Sequence, residues 1–160
     1  MELRRLSAAT LALSALVFGG SILVGQGRAQ AGSQPTYICS AADKQFIATV
    51  SSNMTQLGYW SDALVQQDVA PAVVVKEAKA EAGQVNATRP TDRTLHATRD
   101  LLGSMFIEYS RAVAVTATGR DAKVHMDNAW RLAHASHGLL AGAKVGLARQ
   151  GCDVTPLLGV

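Results

Sequence analysis

Aromatic side chains are scarce in this chain: Trp, Tyr and Phe together make up 5% of it. Any hydrophobic core must therefore be assembled from Ala, Val and Leu, which pack closely but bury little area apiece. Stretches with the two-residue alternation of a half-buried strand are missing, as are internal repeats and low-complexity tracts. The signatures of common chemistry are missing too. There is no G-x-S-x-G, H-E-x-x-H, C-x-x-C or Gly-rich phosphate loop. There is no C-x-x-C-H for covalent haem attachment and no Glu-x-x-His of the di-iron bundles.

A basic cluster is also lacking, although the formal net charge is +3. Met1-Glu2-Leu3-Arg4-Arg5 is followed by an apolar run from Leu6 to Val24 and then by Ala29-Gln30-Ala31. A basic start, an apolar core and an A-x-A site predict a secretory signal peptide over residues 1–31, cleaved after Ala31. An uncleaved membrane anchor is the alternative for so long an apolar run, against which Gly19-Gly20 and the small residues near Ala31 argue. Cleavage removes Arg4, Arg5, Arg28 and Glu2 and leaves the rest within about one charge of neutral. That balance gives no footprint for nucleic acid or an anionic membrane. No stable membrane insertion is expected after cleavage.

Cysteine is limited to Cys39 and Cys152. In an exported protein these two are expected to form a disulfide. Closing so long a loop stabilises by roughly 4–5 kcal/mol in the chain-entropy treatment. Residues 32–160 then form one domain, with its core over about 39–152.

Between the cysteines the apolar spacing is helical. Ser40 caps a first helix over about 41–67, with Asp43 completing an approximate capping box. Its seam is Phe46, Val50, Leu57, Trp60 and Leu64, and Gly58 is tolerated inside it; a break near Trp60 is the alternative. Pro71 opens a second helix to about Val85, with Val74, Val75, Ala78, Ala82 and Val85 inward and Lys76, Glu77, Lys79 and Glu81 outward. Thr91 is expected to cap a third helix, which runs to about Thr118 and stops at Gly119. The longest helix is read over Asp121–Gly151, with Val124, Ala129, Leu132, Leu139, Leu140, Ala143 and Leu147 on its apolar stripe. Four helices on short loops predict an all-α, antiparallel, up-down-up-down four-helix bundle. Its chain ends share one end of the bundle, as a Cys39–Cys152 disulfide requires.

The candidate site residues lie mainly on the last helix. His134 and His137, at i and i+3, offer two imidazoles to one divalent transition metal, with Asp127 or Met126 as a further ligand. A partly exposed helix edge, with Trp130 packed one turn before His134, accounts for the same pair. Non-covalent haem between helices is the second possibility, with His125, Tyr59 or Tyr109 as axial ligand. Core packing accounts for those three equally well. Asn53-Met-Thr55 and Asn86-Ala-Thr88 are formal glycosylation sequons.

Cys39-Ser-Ala-Ala before the first helix, the Val50, Met54 and Leu57 seam, and Cys152-Asp-Val-Thr-Pro156 after the last resemble the layout of small exported helical proteins of mycobacteria, including their secreted haem carriers. The resemblance implies a secreted or cell-envelope helical domain. The span between the cysteines is longer than in the haem carriers and no ligand His stands in the first helix, so no functional residue is carried over. Exported chorismate mutases are also all-helical, but Arg93, Arg99, Arg111, Lys123 and Arg131 fall mainly off the apolar stripes. The expected function is non-catalytic binding of a haem, a metal or a small apolar molecule, with Tyr59, Tyr109, His125 and Trp130 as ligand-binding candidates. The alternative is an interaction module for an envelope protein or cell-wall component, and an exported enzyme comes third.

Overall fold

Ser40 starts the first element by a reciprocal cap. Its hydroxyl accepts Asp43 N–H at 3.1 Å while its own N–H donates to Asp43 Oδ2 at 3.0 Å, a geometry that satisfies two otherwise orphaned donors. The computed structural model describes residues 38–159; the expected signal peptide, residues 1–31, lies outside them. Helix α1 spans Ala41–Val65, α2 Pro71–Ala87, α3 Arg93–Thr116 and α4 Lys123–Arg149, and a short 3-10 turn covers Thr155–Leu157. No strand occurs among the described residues. The described residues form the expected antiparallel four-helix bundle.

Side-chain bonds fix the directions. Asp43, in the first turn of α1, bonds to Thr91 and Asp92 at the start of α3, and Ser61, near the end of α1, meets Tyr109 in the second half of α3. Those two helices therefore run parallel. His125, near the start of α4, reaches Glu108 in the second half of α3, so α4 runs opposite to α3. The strongest packing joins α2 to α3 and α3 to α4, and α1 leans on α2. The backbones of α1 and α4 do not touch; the 3-10 turn contacts both.

The core is mainly aliphatic around two phenylalanines, in keeping with the scarcity of aromatics. Phe46 and Val50 of α1, Val74 and Val85 of α2, Leu95 and Phe106 of α3 and Leu140 of α4 are all buried, and Val154 and Leu157 close it from the C-terminal segment. Thr98, Ser110 and Ser136 are buried hydroxyls that donate back to carbonyls of their own helices, which satisfies them without a partner across the bundle. Cys39 and Cys152 are bonded, with Cα atoms 5.1 Å apart.

Three sequence expectations need correction. Thr91 does not cap α3: Asp92 does, through Oδ1 to Thr94 N and Leu95 N, while Thr91 N and Oγ1 donate to Asp43. A carboxylate makes the stronger cap, and the hydroxyl is drawn to a second carboxylate across the bundle. Glu81 is not on the outer side of α2 but 4% exposed. It stands seven residues after Val74 and three after Ala78, hence on their seam. On α4, Val124 and Leu139 are exposed, and Ala129, Ser136, Leu140 and Leu147 form the buried line, because a single neighbouring helix covers a narrower stripe than a closed bundle would. Asn53, of the formal Asn53-Met-Thr55 sequon, takes a seam position of α1 as its spacing implies: it is buried and donates to Glu81 O at 3.1 Å. Gly58 sits inside a continuous α1, so the break near Trp60 does not occur.

Candidate functional site

The candidate residues rest on three different parts of the bundle. Tyr59 is on the outside of α1, 62% exposed, edge-on to Trp60 at 4.9 Å. Tyr109 is buried in α3. Ser61 Oγ donates to Leu57 O, so the 2.6 Å contact between the two hydroxyls has Tyr109 as donor and Ser61 as acceptor. Burial pushes the Tyr109 phenol above its ordinary range.

His125 faces α3. Its Nδ1 lies 2.8 Å from Glu108 Oε2, and Glu108 also takes a bond from Arg111. The His125 hydrogen bond, ahead of the Arg111 contribution, holds the Glu108 carboxyl below its ordinary range. A ring nitrogen committed to a carboxylate in this way positions α4 against α3. Tyr59, Tyr109 and His125 do not converge on a shared cavity.

Trp130 and His134 form a stacked pair on the outside of α4, centroids 4.8 Å apart and planes at 24°. His137, on the next turn, is exposed at its tip and lines a small cavity of about 60 Å³ with Val50, Met54, Leu102, Leu140 and Leu157. That space sits in the seam where α1 and α4 do not touch. Asp127 is paired with Lys123 at 2.6 Å. Among the described residues, the one set of three or more His, Cys, Asp or Glu ligand atoms within 4.8 Å is Cys39, Asp43 and Cys152. Both its sulfurs are in the disulfide, so it offers no thiolate to a metal.

A wider concavity lies elsewhere. A shallow cleft of about 700 Å³ runs between the outer face of α1 and the C-terminal segment, lined by Lys44, Ala48, Ser51 and Thr55 on one wall and Asp153 and Pro156 on the other. The α1 residues recur every three or four positions and so form one stripe. Their signal in the sequence is a second periodicity, of small and hydroxyl side chains, offset from the apolar seam.

No protein-family model, curated protein or solved structure matches the chain. The class that fold and site define is therefore structural: an all-α four-helix bundle closed by one disulfide. No helix among the described residues is long and apolar enough to cross a membrane.

Proposed function

We propose that this chain is an extracytoplasmic, non-catalytic interaction module that docks a helix of a partner protein in the cleft between α1 and its C-terminal segment. The observation that carries the reading is the shape of that cleft. Its α1 wall runs from Lys44 to Thr55, about 17 Å at 1.5 Å per residue, the length of three helical turns. Ala48, Ser51 and Ser52 are small enough for a second helix to approach the backbone closely. Lys44 and Asp153 supply both signs of charge on the rim, which sets register more than affinity. The partner helix is accordingly amphipathic, with small residues on its docking face.

The disulfide supports an oxidising location. Tyr59 stands exposed, and Tyr109 and His125 are each engaged in a hydrogen bond within the bundle, which favours docking over an enclosed haem.

The test is site-specific photocrosslinking in exporting cells. A photoreactive residue in place of Ser52 is expected to give one adduct of discrete mass, lost when Ala48→Arg blocks the cleft. The same group in place of Lys76, on the outer side of α2, is expected to give none. Equal adducts from both positions, or none from Ser52, would overturn the reading. So would a saturable one-to-one Soret shift with haemin that His125→Ala or Tyr109→Phe abolishes.

A further inference from the structure

Glu81 lies in the middle of α2, on the seam of Val74, Ala78, Ala82 and Val85, and is 4% exposed. Its backbone carbonyl accepts Asn53 Nδ2 from α1. Its side-chain Oε2 is buried without a hydrogen-bond partner, and no cation pairs with it among the described residues. Trp60 Nε1 is a second buried polar atom without a partner, on the α1 face that carries Asn53 seven residues earlier. Acidic groups border this seam. Glu77 faces Glu81 from the preceding turn of α2, Tyr109 from α3, and Asp62 of α1 bears on the same tyrosine. An ionised Glu81 therefore sets an unneutralised charge in an apolar seam beside further acids, which costs far more than the neutral acid does.

The seam closes the weaker half of α1. The first turn of that helix is tied by the disulfide and by Asp43, whereas its second half reaches α3 through Ser61 and Tyr109 and has no backbone contact with α4. We propose that Glu81 is a proton-operated latch: protonated, it lets the C-terminal half of α1 lie against α2 and α3; ionised, it loosens that half while the disulfide end stays closed. The latch does not depend on the cleft being a docking site.

Burial, with Glu77 second, pushes the Glu81 carboxyl up from 4.5 to about 7. The folded chain then keeps a proton that the unfolded chain releases. The stabilisation is complete below about pH 4.5 and is lost as pH rises toward 7.

The experiment is chemical denaturation of the oxidised protein between pH 4.5 and 8, wild type beside Glu81→Gln. The folded-to-unfolded ratio of the wild type is expected to fall about a hundredfold relative to the variant over that range, at tenfold per unit of pKa difference. Hydrogen exchange, corrected for intrinsic rates, is expected to show residues 54–65 losing protection in the wild type alone. Parallel pH profiles of the two proteins, or a loss of protection spread evenly over all four helices, would overturn the latch. Should Glu81→Gln fail to fold, carboxyl NMR of the wild type decides directly: a Glu81 midpoint near 7 sustains the proposal and one near 4.5 ends it.

Discussion

At the end of the bundle where α1 begins and α4 finishes, three kinds of bond converge. The disulfide joins Cys39 to Cys152, Cys39 N–H donates to Gln150 O at 2.8 Å, and the buried Asp43 carboxylate accepts five donors from Ser40, Thr91 and Asp92. At the opposite end, where α1 finishes and α4 begins, the ties between helices are fewer and none is covalent. Tyr109 donates to Ser61, His125 and Asn128 both meet Glu108, and Trp60 Nε1 nearby and Glu81 Oε2 at mid-helix have no hydrogen-bond partner. The contrast shows how a small domain poor in aromatics divides its stability. Covalent and multiply bonded polar ties fix the topology at one end, and the other is left to a few hydrogen bonds and aliphatic packing, the kind of region where local opening is expected first.

Removing the covalent tie should have the largest effect. Cys39→Ala with Cys152→Ala frees a loop with a sequence separation of 113 and is expected to lower unfolding free energy by roughly 4–5 kcal/mol. Denaturant titration of the oxidised wild type against the double variant measures it. A loss under about 1 kcal/mol would mean that Asp43 and the core alone set the geometry of this end.

Asp43→Ala comes next, at about 3 kcal/mol. The substitution strips the cap of α1 and leaves the N–H groups of Thr91 and Asp92 without their acceptor, and orphaned buried donors are costly. The disulfide remains, so the loss should appear as hydrogen exchange at the starts of both α1 and α3 together. Exchange confined to α1 would show that the carboxylate acts only as a local cap.

Tyr109→Phe probes the other end and should cost about 1 kcal/mol, the worth of one ordinary hydrogen bond. Ser61 keeps Leu57 O as its acceptor, so no donor is orphaned. A loss as large as that of Asp43→Ala would erase the difference between the two ends.

How much of this was readable beforehand follows from the range of each interaction. The four helices, the cysteine pair, and Gly119 and Gly151 as stops depend on periodicity and local chemistry, and they stand as expected, the two glycines at φ 73° and 83°. The reach of Asp43 to a loop 48 residues away leaves no local signal, since a capping box looks the same whether or not a second helix shares it. Glu81 was legible from its place on the Val74 seam, but charge argued it outward; its burial is a tertiary override of that local preference. The dispersal of Tyr59, Tyr109 and His125 goes with the lack of backbone contact between α1 and α4, a property of packing that no single helix encodes. Val124 and Leu139 stand exposed for the same reason.

The smallest effects are also the cleanest comparison, because α1 and α4 end in the same motif with different residues. At the end of α4, Cys152 N bonds to Leu147 O at 2.9 Å and Gly151 N to Ala148 O at 3.0 Å, with Gly151 left-handed. At the end of α1, Asp68 N bonds to Ala63 O at 2.9 Å and Gln67 N to Leu64 O at 3.1 Å, with Gln67 left-handed at φ 65°. Both are Schellman closures, but a side chain at the left-handed position is strained by about 1 kcal/mol. Gln67→Gly should therefore stabilise by about 0.5–1 kcal/mol, despite the added freedom glycine gives the unfolded chain. Gly58→Ala, in open space inside the same helix, should stabilise by about as much through helix propensity. The two changes run in opposite chemical directions, so a general effect of removing or adding glycine cannot produce both gains. If denaturation midpoints rise for Gly58→Ala alone, the left-handed cap of α1 carries no strain, and the looseness of that end must be sought in the Glu81 seam.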